Sequence, residues 1–190
     1  MQGDSIRVTL FVAQTLEEIG IPYAVGGSLA SSMHGVMRST LDVDIIADLQ
    51  PEQVRPLLDA LSQEFYADEE AIRDAIRERG SFNLIHFETS FKVDMFVAKL
   101  RAFDQMQLAR RTRSIVASEP ERELYVTSPE DIILAKLEWF RMGGELSERQ
   151  WRDVLGVMKT RSDALDIAYL RHWARELKVS DLLERALKEV

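Results

Sequence analysis

A short apolar run that ends in two glycines constrains the fold of this chain more than any other feature. Residues 23–25 lead into Gly26-Gly27-Ser28, and residues 28–34 contain neither proline nor a further glycine. Glycine adopts backbone dihedrals that are closed to other residues, so the chain can turn sharply at this point. The pattern predicts a strand, a glycine turn and a helix in direct succession.

Two aspartates follow on an alternating segment. The segment from Leu41 to Ala47 alternates in polarity, and Asp42 and Asp44 are separated by a single valine. Successive side chains of a strand point to opposite faces of the sheet, so residues two apart share a face. The sequence therefore predicts a strand over 41–47 with Asp42, Asp44 and Ile46 on one face and Leu41, Val43 and Ile45 on the other.

The remaining segments have helical or alternating patterns. An alternating segment at 91–97 follows another at 82–87 across Glu88-Thr89-Ser90, which predicts a hairpin and places Lys92 and Asp94 on one face. Ser128-Pro129 has the features of a capped helix start, and Gly143-Gly144 ends that helix. Further helices are predicted at 4–19, 51–65, 68–79, 147–159, 163–178 and 180–188, and further strands at 113–117 and 123–126.

These elements predict an α/β (α+β) fold. A mixed β-sheet flanked by helices would occupy residues 1–127, and a C-terminal helical unit would occupy residues 128–190. The chain has 190 residues, of which 46% are hydrophobic, which suffices for one substantial core with a small helical addition.

Composition excludes several classes of protein. The chain contains no cysteine, which excludes disulfides and thiolate metal sites and fits a reducing compartment. No apolar stretch approaches the roughly 20 residues that cross a bilayer, so we expect no membrane association and a cytoplasmic location. The formal net charge of −8 argues against broad attraction to nucleic acid, although a local basic surface can still bind one phosphate-bearing partner.

The acidic strand and the glycine turn are chemically complementary. Magnesium prefers oxygen ligands and commonly binds a few carboxylates together with substrate phosphates. Asp42 and Asp44 would have α-carbons about 6.5 Å apart, which suits two ions about 4 Å apart. Gly26, Gly27 and Ser28 offer close backbone approach, amides and a hydroxyl to a triphosphate. Together they predict metal-assisted phosphoryl or nucleotidyl transfer, whereas each alone is also typical of an ordinary turn or an exposed strand end.

These motifs resemble the DNA polymerase beta-like nucleotidyltransferase superfamily, in particular the small bacterial proteins related to abortive-infection type IV toxins. Gly26-Gly27-Ser28 with Asp42 and Asp44 is similar to the first family motif, and Lys92-Val93-Asp94 to the strand with the third carboxylate. The segment from Ser128 to Lys136, followed by Arg152-Asp153, is similar to the downstream helical motifs. The toxins often have an acidic residue where this chain has Gly156, so their complete final motif is absent.

The resemblance implies roles for individual residues. Asp42, Asp44 and Asp94 would be the catalytic residues and would bind two Mg²⁺ ions, with Asp94 assisting deprotonation of the acceptor hydroxyl. Gly26, Gly27 and Ser28 would bind the phosphates of a nucleoside triphosphate. Lys136 would reach the triphosphate or a charged neighbour, with Asp153 orienting it through an ion pair. The simpler alternatives are a surface or salt-bridging helix residue for Lys136 and a helix-surface charge for Asp153.

The predicted enzyme transfers a nucleoside monophosphate from a nucleoside triphosphate to a hydroxyl on RNA, protein or a small molecule. The main alternative is a nucleotide-binding antitoxin or regulatory partner without turnover, as in a toxin-antitoxin pair. A small-molecule enzyme of the antibiotic-modifying type is a third reading. The sequence leaves the acceptor open, and also whether the chain forms a homodimer or binds a cognate protein partner.

Overall fold

The computed structural model describes residues 2–34, 42–118 and 121–190, without the side chains of residues 2, 3, 117 and 118. It contains two compact units. The first unit consists of Met1–Gly26 and Ser39–Val126, and the second of Gly27–Arg38 and Thr127–Val190. The chain therefore passes from the first unit to the second between Gly26 and Gly27.

The first unit contains a seven-stranded mixed sheet with the strand order β3-β4-β5-β2-β1-β7-β6. Its strands are β1 (Tyr23–Val25), β2 (Asp42–Ala47), β3 (Phe65–Tyr66), β4 (Ser81–His86), β5 (Lys92–Val97), β6 (Thr112–Ser118) and β7 (Glu121–Val126). The β2–β5 and β1–β7 pairs are parallel, whereas the other four neighbouring pairs are antiparallel. The central strands β5, β2 and β1 carry the residues that the sequence singled out.

The helices of the described residues are α1 (Gln2–Ile19), α2 (Gly27–Met33), α3 (Val54–Leu61), α4 (Glu69–Glu78), α5 (Ala102–Ala109), α6 (Pro129–Met142), α7 (Glu148–Arg161), α8 (Ile167–Glu176) and α9 (Ser180–Glu189). A 3-10 turn at Pro51–Gln53 precedes α3. Helices α1, α3, α4 and α5 belong to the sheet-containing unit, and α2 joins α6 to α9 in the helical unit.

Alternating burial fixes which faces of β2 and β5 point into the core. Val43 and Ile45 of β2 and Val93 and Met95 of β5 are each no more than 1% exposed, whereas the residues between them are only half-buried. This is the period-2 pattern of strands with one apolar face. The prediction that the aspartates share the face opposite the apolar residues is therefore confirmed for the described part of β2, which excludes Leu41.

The helical unit has its own apolar core and a conventional start. The Ser128 hydroxyl accepts a hydrogen bond from the Asp131 amide at 3.2 Å, and Pro129 occupies the first turn, so the predicted cap of α6 is confirmed. Trp151 and Trp173 are buried, whereas Trp139 is half exposed. Both buried rings contribute apolar area to the core that holds these helices together.

The predicted fold class is confirmed: the chain has a mixed sheet with flanking helices and a set of C-terminal helices. Among the described residues, no helix is both long and apolar enough to span a membrane. The predicted domain boundaries stay a prediction.

Three local predictions were wrong. Phe65 continues the apolar stripe of the preceding helix in sequence, but it lies in β3, where its ring packs against Phe11 and His86 at centroid distances of 5.8 and 5.2 Å. Helix α5 was not predicted, because it has eight residues and buries a glutamine among its few apolar positions. Helix α8 begins at Ile167 rather than near residue 163.

Candidate active site

The register of two parallel strands assembles the acidic residues. Strand β2 pairs with β5 so that Asp42 lies opposite Lys92 and Asp44 lies opposite Asp94. Neighbouring strands are about 4.8 Å apart, and paired residues point to the same face. Three carboxylates and one ammonium group therefore share one half-buried patch, which we call the acidic face: Asp42, Asp44, Lys92 and Asp94.

Lys92 is electrostatically part of the acidic face. Its ammonium donates a hydrogen bond to Asp94 Oδ2 at 2.8 Å. The Lys92 side chain is 43% exposed and that of Asp94 only 16%. The pKa of Lys92 is raised, chiefly by this hydrogen bond, against an opposing effect of burial, with further contributions from the charges of Asp94, Asp42 and Asp44. Lys92 thus neutralises part of the negative charge of the acidic face.

The acidic face matches magnesium in its donor chemistry. Within residues 2–34, 42–118 and 121–190, no three histidine, aspartate or glutamate side chains are grouped closely enough to hold a metal ion. The residues themselves fit: all three are oxygen donors on a half-exposed face, the ligand type that magnesium selects. Asp94 Oδ2 accepts a hydrogen bond from Lys92, so the Lys92 ammonium would compete with a metal ion for that oxygen.

The two glycines have different structural roles. The Gly26 amide donates to the Asp44 carbonyl at 2.8 Å and so attaches the turn to the acidic strand. A Cβ placed on Gly26 would meet its nearest neighbours, Ile46 Cδ1 and the Asp44 carbonyl oxygen, at 3.8 and 3.9 Å, which is ordinary contact. Gly27 has φ +57°, in the left-handed region that side chains disfavour. The special backbone conformation thus belongs to Gly27.

Ser28 lies in the helical unit, where an arginine contacts it. Its side chain is buried at 6% exposure, and its hydroxyl accepts a hydrogen bond from Arg149 Nη2 at 3.1 Å. Arg149 lies in the first turn of α7, and its own side chain is exposed. Nothing in the sequence distinguished Arg149 from the other arginines of the helices, because a helix-surface arginine has no motif of its own.

Lys136 is held in a buried ion pair. Its ammonium is 2.8 Å from Asp153 Oδ2 and 3.5 Å from Gln150 Oε1. Lys136 and Asp153 are 6% and 3% exposed, so both charges are removed from solvent. The expected ion pair is present, which also agrees with the simpler reading of Lys136 as a salt-bridging helix residue, whereas neither residue is a surface charge.

Two arginines beside Tyr125 and one buried histidine contact other residues of the protein. The guanidinium groups of Arg111 and Arg113 lie 4.7 and 4.8 Å from the centroid of Tyr125, and Arg113 also pairs with Glu123. Buried His34 donates from Nε2 to the Thr127 carbonyl at 2.8 Å, and burial lowers its pKa despite that hydrogen bond. These contacts account for the residues without assigning them to a site.

The chain belongs to the family DUF6036, described as a nucleotidyltransferase of unknown function, which matches residues 12–179. The prediction of a nucleotidyltransferase is thereby confirmed. No curated protein matches the sequence.

Solved structures support the same fold. An antigenic nucleotidyltransferase-like protein from Paracoccidioides brasiliensis is 18% identical with a TM-score of 0.55, covering 96% of this chain and 91% of its own. The antibiotic-resistance factor ANT(2″)-Ia is 13% identical with a TM-score of 0.58, and both chains are covered completely. A putative nucleotidyltransferase from Thermotoga maritima is 16% identical with a TM-score of 0.52, covering 80% of this chain and 95% of its own.

Proposed function

We propose that this protein is a magnesium-dependent nucleotidyltransferase that moves a nucleoside monophosphate from a nucleoside triphosphate to a hydroxyl group. The observation that carries the proposal is the β2–β5 register, which puts Asp44 directly beside Asp94 and keeps Asp42 on the same half-buried face. Membership of a nucleotidyltransferase family supports the reaction class.

In this proposal the acidic face holds the ions and handles the proton. Asp42, Asp44 and Asp94 would hold magnesium through their carboxylate oxygens. Bound magnesium supplies positive charge that stabilises the attacking and leaving oxygens of an in-line displacement. The acceptor oxygen forms a bond to the α-phosphorus, the bond to pyrophosphate breaks, and Asp94 assists removal of the hydroxyl proton.

The glycine turn would bind the phosphates in this proposal. Gly26 and Gly27 permit close approach of a phosphate to the backbone, and Ser28 offers its hydroxyl. Lys136 takes a positioning role, since its ammonium is buried against Asp153 and its charge is already neutralised. Its contribution would be to keep α6 and α7 together, because it lies on α6 and Asp153 lies on α7.

A small molecule is the acceptor class to test first. ANT(2″)-Ia, whose fold is similar over 91% of this chain with a TM-score of 0.56, has been solved with adenylyl-2″-tobramycin. RNA and protein hydroxyls are the other two classes. The acceptor also decides the biological setting, because a toxin would modify a cellular macromolecule whereas a resistance enzyme would modify a drug.

The test is transfer of label from each α-labelled nucleoside triphosphate in the presence of magnesium. Acceptors would be a panel of hydroxyl-bearing antibiotics, total RNA and cell extract. The wild type should transfer label to one class, and the variant with Asp42→Ala and Asp44→Ala should not. Equal transfer by both proteins would defeat the assignment, and nucleotide binding without any transfer would favour a regulatory partner.

A further inference from the structure

We propose that Arg149 is a phosphate-binding residue that holds the triphosphate of the nucleotide together with Ser28. This inference rests on the proposed function, since it assumes that a nucleoside triphosphate is the substrate. It adds a residue that the sequence motifs do not include. The starting point is the hydrogen bond of 3.1 Å from Arg149 Nη2 to the Ser28 hydroxyl, within the helical unit.

Arg149 is distinguished from the other arginines of this unit by its contact with Ser28, a residue of the glycine-turn motif. Arg141 pairs with Asp181 at 2.6 Å, and Arg171 pairs with Glu184 at 2.8 Å. Like several other arginines of the unit, Arg149 has no carboxylate partner among the residues that the structure describes; its side chain contacts the neutral hydroxyl of Ser28. Its positive charge is therefore not compensated by a partner in the described part of the chain.

The geometry of the guanidinium group leaves donors for an anion. A guanidinium carries five N–H donors in a planar fork. One donor is used on Ser28, and the described residues supply no acceptor for the others. Such a fork matches the spacing of two phosphate oxygens and binds them with two parallel hydrogen bonds.

The charge balance of the protein explains why a cation is needed at this position. The chain has a formal net charge of −8, which repels a free triphosphate. Lys136, the cation that the sequence motifs suggested, is neutralised by Asp153. Arg149 is exposed and therefore accessible to a ligand. The structure thus assigns to Arg149 the phosphate contact that Lys136 cannot make without breaking its ion pair.

Recognition of phosphate alone predicts a contribution that is independent of the base. Arg149 should contribute equally to the affinities for adenosine and cytidine triphosphates, and it should contribute to the affinity for inorganic tripolyphosphate, which has no base or sugar. It should contribute nothing to the affinity for adenosine. A residue that merely orders α7 through Ser28 would instead alter thermal stability and leave these affinities unchanged.

The experiment is titration calorimetry of the full chain in magnesium buffer with ATP, CTP, tripolyphosphate and adenosine. The variants are Arg149→Ala, Arg149→Lys and, as a control of equal charge change on the same helix, Lys159→Ala, which is exposed. Alanine and lysine both favour helix, so α7 should persist in each variant. Arg149→Ala should weaken the binding of ATP, CTP and tripolyphosphate at least about tenfold, because a charge-assisted hydrogen bond is lost.

The lysine and control variants sharpen the result. Arg149→Lys should bind with intermediate affinity, since it keeps the charge and loses the fork, and Lys159→Ala should bind as the wild type does. Wild-type affinity for ATP in both Arg149 variants would overturn the inference while leaving the proposed function intact. A wild type that binds neither ATP nor tripolyphosphate and transfers no label would overturn the proposed function itself.

Discussion

The acidic face and the Lys136–Asp153 pair are both clusters of opposite charge, but they differ in exposure. On the acidic face three carboxylates accompany one lysine, and that lysine is 43% exposed. In the helical unit one carboxylate meets one ammonium, and both side chains are less than a tenth exposed. A solvent-accessible cluster suits a ligand, whereas a closed and neutral cluster suits structure, because breaking it leaves a buried charge.

Breaking the buried pair should give the largest effect on stability. Asp153→Ala leaves the Lys136 ammonium buried without its partner, and we expect a loss of about 3–5 kcal/mol in the free energy of unfolding. Urea unfolding followed by circular dichroism measures it. The double variant Lys136→Met with Asp153→Leu should recover most of the loss, because no charge remains buried. A loss below about 1 kcal/mol for Asp153→Ala is the size expected of a surface ion pair. It would contradict the structural role that separates the Lys136–Asp153 pair from the acidic face.

The acidic face should show the opposite behaviour. Asp94→Asn should lower kcat/KM for nucleotidyl transfer on the order of 10²–10³-fold, because several kcal/mol of charge stabilisation are lost. The free energy of unfolding should change by less than about 1 kcal/mol, since the side chain is half-buried beside a solvated lysine. Asp74→Asn is the control, because it makes the same chemical change at an exposed carboxylate of α4 in the same unit. Parallel losses of activity and stability in Asp94→Asn would show a structural role instead.

The glycine pair offers a smaller and local test. Gly27→Ala forces a side chain into the left-handed region and should cost about 1–2 kcal/mol in thermal unfolding experiments. Gly26→Ala should cost less than Gly27→Ala, because a Cβ there meets its nearest atoms only at 3.8 and 3.9 Å. A Gly26→Ala variant that folds stably yet loses nucleotide affinity would indicate that the ligand, rather than the fold, requires glycine at this position.

The smallest expected effect concerns Lys92. Lys92→Ala removes the ammonium that bonds to Asp94, so magnesium no longer competes with it for that oxygen. We expect the affinity for Mg²⁺ in the absence of nucleotide to rise roughly two- to fivefold, the value of one solvent-exposed ion pair. Titration calorimetry with MgCl₂ measures this, and Lys99→Ala provides an exposed control on the same unit. Weaker magnesium binding in Lys92→Ala would mean that the lysine helps to orient Asp94.

The sequence predicted the acidic face because strand periodicity acts on neighbouring residues. Two aspartates one residue apart share a face by geometry alone, and the same holds for Lys92 and Asp94. Local patterns could not predict the pairing of β2 with β5, since it depends on which strands of the sheet become neighbours. Local patterns could not predict the Arg149–Ser28 contact either, because it joins residues 121 positions apart on two helices. Phe65 shows a different kind of error. It continues the apolar period of the preceding helix in sequence, but it is buried as part of strand β3.

The parallel register of β2 and β5 also ties activity to the completeness of folding. Asp44 and Asp94 are fifty positions apart in the chain, and their strands pair in one register across six residue pairs. A slip of one residue would send Asp94 to the apolar side of the sheet, and a strand pair this distant in sequence forms only after a costly loop closes. Partly folded chains would therefore lack the acidic face, and under the proposed function a cell would face no stray transfer activity from nascent or misfolded copies.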